Sequence, residues 1–189
     1  MDLCILFPGI GYHCDKPLLY YSARLARSMG YEVKPLKYTD FPGGKDTKAK
    51  AKGNEEKMRA AARHALKQTE QQLEGIDLSA YNRVVFIGKS IGTEVCLAFR
   101  EAHGISARCV LMTPLAMTFE HGTADCTALH GTSDPWADTG VISQLCQEQN
   151  VPLYTFADAN HSLETGDVSR DINYLAEAVK AVEDALTGS

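Results

Sequence analysis

Residues 88–92 read Gly-Lys-Ser-Ile-Gly, and those five letters belong to two different chemistries. Gly-Lys-Ser between a strand and a helix is how a phosphate-binding loop ends, with the lysine gripping a nucleotide. G-x-S-x-G is the sharp strand-to-helix turn that holds a serine hydroxyl above a sheet edge, ready to attack a carbonyl. The flanking residues decide between Lys89 and Ser90. A phosphate loop reads G-x-x-x-x-G-K-[ST], which puts its first glycine at position 83, where this chain has Arg83. The four residues between should form an open cradle of amides, yet Val84, Val85, Phe86 and Ile87 form an apolar run that reads as buried strand. No second strand ends in an aspartate suited to magnesium. The serine turn uses the same residues well. Gly88 and Gly92 relieve crowding around a strained Ser90, and the amide of Ile91 stays available at a helix N-terminus to stabilise an oxyanion.

A serine hydroxyl is a weak nucleophile and needs a base, itself oriented by an acid. After such a turn the partners follow in the order serine, acid, histidine. "LHGTSDPWAD" puts Asp134 in a turn beyond the next-to-last strand, and "FADANHSLE" puts His161 in the loop beyond the last one. Each residue also has a plainer use: Ser90 as a helix N-cap, Asp134-Pro135 as a turn and nothing more. Asp138 fits the start of the following helix better than the triad, and Asp158 lies only three positions before His161. Of six histidines, His161 alone follows the last strand. His130 reads as structural, and His13 equally as a pocket or a surface residue. Lys89 reads as polar support beside the nucleophile or as a solvent-facing lysine.

These groups can meet only if a sheet carries them to one edge. Apolar strand-like runs fall at 3–7, 31–36, 83–88, 107–112, 126–131 and 152–157, with helix-like stretches at about 16–29, 54–74, 91–103, 138–149 and 168–186. Gly30 after "LLYYSARLARSM" is a helix-stop signal, and 54–74 is rich in strong helix formers. In the last helix Ile172, Leu175, Ala176, Val179 and Val182 suggest one apolar face. Strands alternating with helices predict a mainly parallel sheet covered on both faces, in one domain spanning 1–189. In such sheets function gathers at the carboxyl ends of the strands, here the loops starting near Pro8, Asp40, Gly88, Thr113, Gly131 and Asp158.

The 189 residues are 44% hydrophobic and 23% charged, the balance of a globular protein long enough to bury a real core. A net charge of -5 and a pI near 5.7 argue against nucleic acid as a partner. The lysine-rich stretch Lys45 to Lys52 reads as a solvated face, or as a local patch favouring an acidic substrate. No run approaches the roughly 18 apolar residues of a membrane span, and the first residues lack the pattern of a secretory leader, so a cytoplasmic chain is expected. The six cysteines show no C-x-x-C and no metal spacing; most read as small buried hydrophobes.

"GKSIG", "HGTSDPW" and "NHSLE", in that order, resemble the small α/β-hydrolases, and "FPGIG" after the first strand resembles that family's oxyanion loop. The resemblance covers essentially the whole chain. It implies a three-layer α/β-hydrolase fold with a mainly parallel sheet of about six strands and a minimal cap. The chain departs from larger members by beginning at the strand before the oxyanion loop, by Pro8-Gly9 where many have His-Gly, and by serine where dienelactone hydrolases carry cysteine. The implied activity is a serine acyl hydrolase on a small ester or thioester, with a small acyl molecule as partner and neither cofactor nor metal. Ser90 would attack, His161 would take its proton and Asp134 would orient the imidazole, with the oxyanion on the amides of Ile91 and Ile10. Gly9, Gly11, Tyr12, Met117, Phe119 and Trp136 lie on the same loops as candidate pocket residues. Amide cleavage, acyl transfer and a binding protein that kept the fold remain as alternatives.

Overall fold

A computed structural model describes residues 1–42 and 53–188. Alternate side chains of its central strands enter two separate cores. Leu3, Ile5 and Phe7 of β1 (Asp2–Phe7) join Val84 and Phe86 of β3 (Arg83–Lys89) on one face, with the Phe7 and Phe86 rings 5.0 Å apart. Cys4, Leu6, Val85 and Ile87 enter the other core. That alternation is why both strands read as unbroken apolar runs: a strand buried on both faces has no polar side to show.

The remaining strands are β2 (Tyr31–Pro35), β4 (Arg108–Met112), β5 (Cys126–Gly131) and β6 (Leu153–Phe156). Every neighbouring pair is parallel, in the order β2-β1-β3-β4-β5-β6. Helices α1 (Pro17–Ser28) and α5 (Val168–Thr187) cover the face of Cys4 and Leu6. Helices α2 (Glu55–Leu73), α3 (Ile91–Ala102) and α4 (Thr139–Glu148) cover the other. Local chemistry sets their ends. The Asn54 side chain accepts from the Lys57 amide to start α2, Asp138 does the same for Val141 in α4 and Asp167 for Arg170 in α5. Gly188 ends α5 in the left-handed conformation.

One expectation about the helices needs adjustment. The buried side of α5 runs through Ala178, Ala181, Val182 and Leu186, while Ile172 is 61% exposed and Ala176 also faces solvent. The small alanines let α5 lie close against α1 and the sheet, so the helix turns its large early side chain outward. The run Lys45–Lys52 lies outside the described residues. No helix among the described residues is long and apolar enough to cross a membrane.

Between β4 and β5 the chain makes only a short 3-10 turn, Ala116–Glu120, in place of a cap. Thr118 Oγ1 lies 2.8 Å from Thr93 Oγ1 of α3, and Glu120 pairs with Arg59 of α2. His121 is clasped by two carboxylates of α3, Glu94 at 2.9 Å and Glu101 at 2.7 Å. The bond to Glu94 holds the imidazole protonated most strongly and, with Glu101, outweighs partial burial, so its pKa rises from 6.5 to about 9. A raised folded-state pKa adds stability below the unfolded value and loses it as pH climbs through the folded one. Thermal unfolding should therefore show the wild-type midpoint falling between pH 6.5 and 9 more steeply than that of His121→Gln. Equal slopes would remove His121 from the account.

Candidate active site

The chain leaves β1 toward β2 on one side, and β3 lies on the other. Connections therefore diverge above β1 and β3, opening the crevice where parallel sheets hold ligands. The loop after β1 and the turn after β3 meet there. A Cβ on Gly9 would lie 3.2 Å from Ser90 Cβ and 3.1 Å from the Lys89 carbonyl, so the loop and the turn approach closely here. Across the crevice α3 starts against β1 even more tightly, since a Cβ on Gly92 would lie 2.0 Å from the Phe7 oxygen.

Between strand and helix, Ser90 adopts φ 57 and ψ -124. A serine held there is strained, at a cost of about 1–3 kcal/mol. Its amide donates to Met112 O at 2.9 Å, and its carbonyl accepts from the Thr93 amide at 2.9 Å and the Thr93 hydroxyl at 2.6 Å. Ile91 is the first residue of α3, where amides lack intrahelical partners. On the facing loop, Gly9 and Tyr12 exchange two backbone bonds of 3.0 and 3.2 Å, leaving Ile10 and Gly11 at the tip. Neither the Ile10 nor the Ile91 amide has an acceptor among the described residues.

The three residues singled out for chemistry come together. His161 Nε2 lies 2.7 Å from Ser90 Oγ, and its Nδ1 lies 2.7 Å from Asp134 Oδ2. The Asp-Pro-Trp turn explains the aspartate's pose, because its Oδ1 accepts the Trp136 amide at 2.8 Å and leaves Oδ2 for the histidine. Burial pushes the Asp134 carboxyl up, but the bond and charge of His161, the Trp136 amide and the Lys89 charge together pull it below the ordinary carboxylate value. Asn160 shapes the histidine loop by accepting the Ser162 amide at 2.7 Å. The Trp136 and His161 rings lie 5.7 Å apart.

The rival residues have other occupations. Asp138 caps α4, Asp158 pairs with Arg170 at 3.0 Å, and exposed His13 lies 3.4 Å from Asp15. Buried His130 sits 3.0 Å from the Thr139 hydroxyl, and burial lowers its pKa, which keeps it neutral. Lys89 does not face solvent. It is 1% exposed, donates to Thr113 Oγ1 at 2.7 Å and to the His161 carbonyl, and lies 4.9 Å from the Tyr12 ring centroid.

Ser90 opens into a narrow cleft of about 20 Å³ walled by Ile10, Tyr12, Met58, Trp136 and His161. Among the expected pocket residues, Tyr12 and Trp136 are at this cleft, as is Ile10, expected for the oxyanion, and Gly9 packs behind Ser90. Gly11 is at the exposed tip of its turn, with φ 70. The 3-10 turn points Phe119 into the main core and Met117 into a cluster behind Met58, so neither lines the cleft. Met58 and Ser162, which do, carry no local sequence signal. A larger groove of about 1160 Å³ lies at the opposite end of the strands, beside Arg83, His103 and Arg108, away from all of these groups.

No protein-family model matches this sequence, and no curated protein does. Solved structures match over nearly the whole chain. A protein assigned to the alpha/beta hydrolase superfamily from Xanthomonas campestris pv. campestris is 16% identical, with 97% of this chain and 99% of that one covered and a TM-score of 0.63. A serine hydrolase without lid, also from Xanthomonas campestris, is 14% identical over 98% and 81%, with a TM-score of 0.60. Est1E from Butyrivibrio proteoclasticus, solved with ferulic acid bound, is 10% identical over 99% and 90%, with a TM-score of 0.67. The chain therefore has the α/β-hydrolase fold.

The crowding at Gly92 has a direct consequence. Overpacking against a backbone carbonyl cannot be relieved by a rotamer change, so Gly92→Ala should lose about 3 kcal/mol in urea unfolding. Unchanged stability would contradict the close approach of α3 to β1.

Proposed function

We propose that this chain is a serine acyl hydrolase acting on a small ester or thioester. The observation that carries the reading is the continuous relay from Ser90 Oγ through both ring nitrogens of His161 to Asp134, with 2.7 Å at each step. In this mechanism His161 Nε2 takes the hydroxyl proton as Ser90 Oγ attacks the acyl carbonyl. Asp134, kept ionised, holds the Nδ1 proton and balances the imidazolium. The amides of Ile91 and Ile10 receive the oxyanion, each such donor contributing on the order of 10²–10³ in rate. Protonated His161 then gives its proton to the leaving group, and a water activated by the same imidazole releases the acid. Both ester and thioester suit this sequence of steps, because either leaving group accepts that proton. Est1E, which shares the fold, is solved with a carboxylic acid, ferulic acid, bound.

The cleft favours a short acyl chain. The cleft is narrow, with Met58 and Trp136 among its walls, so long acyl chains have little room beside Ser90. Acetyl and butyryl p-nitrophenyl esters should outpace the octanoyl ester, and Met58→Ala should shift that preference toward octanoyl by about tenfold in kcat/KM. An unchanged profile in the variant would remove Met58 as the wall of the acyl site.

The reading itself is tested on the serine. Ser90→Ala should lower kcat by about 10⁶, to the assay floor, with folding intact by circular dichroism. Asp134→Asn should lower it by about 10⁴ by presenting the wrong histidine tautomer. Ester turnover by Ser90→Ala equal to wild type would overturn the proposal.

A further inference from the structure

Lys89 is a buried ammonium that the acyl-transfer chemistry does not use. It ends β3, directly before Ser90, and strand alternation sends its side chain to the same face as Val85 and Ile87. At 1% exposure, such a charge costs several kcal/mol in lost hydration unless polar groups replace the water. The groups that do so come from three loops. Thr113, beyond β4, accepts from Nζ at 2.7 Å. The His161 carbonyl, beyond β6, accepts from Nζ as well, and it receives the Thr113 hydroxyl at 3.2 Å. Tyr12, beyond β1, lays its ring 4.9 Å from Nζ. Burial pushes the Tyr12 phenol up to about 12, so the ring stays neutral and presents its face rather than a counter-charge.

Each contact reaches a part of the candidate machinery. The His161 carbonyl belongs to the residue whose imidazole bonds Ser90 and Asp134. Tyr12 closes the turn that carries Ile10, through its two backbone bonds with Gly9. Thr113 is itself held in place, with φ 48 and its amide donating to Leu129 O at 2.7 Å. A single fixed cation thus touches the histidine loop and the oxyanion loop and is bonded through the backbone to the nucleophile.

Resting on the serine-hydrolase reading, we propose that Lys89 is a positioning residue: its ammonium, relayed by Thr113, holds the histidine loop and the oxyanion loop in register around Ser90. Lys89 also borders the floor of the cleft, but its ammonium is spent on Thr113 and the His161 carbonyl, and it transfers no proton. The geometry it maintains matters because a misplacement of about 1 Å in a catalytic group costs about 10² in rate. A buried ion that served stability alone would be replaceable by an apolar side chain of similar volume with little loss of function.

The test compares wild type, Lys89→Met, Thr113→Val and Ser90→Ala with p-nitrophenyl acetate. Serine sites are counted by carrying fluorophosphonate labelling to completion, so that turnover is expressed per intact site and misfolded molecules drop out. Lys89→Met should lose about 10² in kcat per site, with KM within about threefold of wild type and correspondingly slower labelling. Thr113→Val, which removes the hydroxyl relay, should lose about tenfold in kcat with the same steady KM. Turnover per site within about threefold of wild type in Lys89→Met would overturn the proposal. Should that variant fail to fold, the same threshold applied to Thr113→Val decides it. Ser90→Ala separates the two levels: loss of its turnover with wild-type kcat in Lys89→Met defeats the positioning role alone, whereas full turnover in Ser90→Ala defeats the hydrolase reading beneath it.

Discussion

Where α3 starts, its backbone lies against the carboxyl end of β1 with no room for a side chain: the space at Gly92 is filled by the Phe7 and Pro8 carbonyls, and that at Gly88 by the Gly92 carbonyl. This contact leaves the residue between strand and helix almost no freedom, and Ser90 takes up a conformation that few non-glycine residues adopt. Three hydrogen bonds to its own amide and carbonyl offset the strain. In return the hydroxyl stands at the sheet edge beside the first amide of a helix, facing the Gly9–Tyr12 turn. A relaxed backbone at residue 90 would separate these groups.

Around that turn the remaining groups arrive from separate strand ends, so their agreement in position depends on the sheet and on the wiring between loops. The wiring is largely buried and charged. Asp134 carries a negative charge under the imidazole, and Lys89 a positive one under the carbonyl of the same histidine. Each charge alone would be costly to bury. Both have polar partners, and each lowers the cost of the other. The result is a fixed polar frame beneath a cleft whose apolar walls are Ile10, Met58 and Trp136.

The parts of this arrangement that were legible in the sequence are those governed by local rules. Six strand-like runs gave strand positions within a residue or so; in β1, β3 and β4 the reason is burial on both faces, which leaves no polar alternation to misread. Gly88, Ser90 and Gly92 identified the turn, the turn pattern supplied the order serine, acid, histidine, and the parallel sheet explained how the three could meet. What stayed hidden depends on long-range packing. "GKSIG" contains nothing to say that its lysine turns inward, since the acceptors lie at Thr113 and His161, 24 and 72 positions away. Phe119 and Met117 sit on an active-edge segment, yet a 3-10 turn directs both into the interior. Met58 comes to the cleft from a helix whose composition marked it only as rich in strong helix formers. The face of α5 was misread by part of a turn, because alanines rather than the larger Ile172 make the close contact.

The account stands on Ser90 as the nucleophile that becomes acylated. The most direct measurement is mass spectrometry of the protein during turnover of a slowly hydrolysed acyl ester, quenched in acid and digested. A single acyl group on the peptide carrying Ser90, appearing and decaying at rates consistent with kcat, is the predicted result. Turnover with Ser90 unmodified throughout, and the acyl group on another residue such as Cys14 or Lys89, would contradict it.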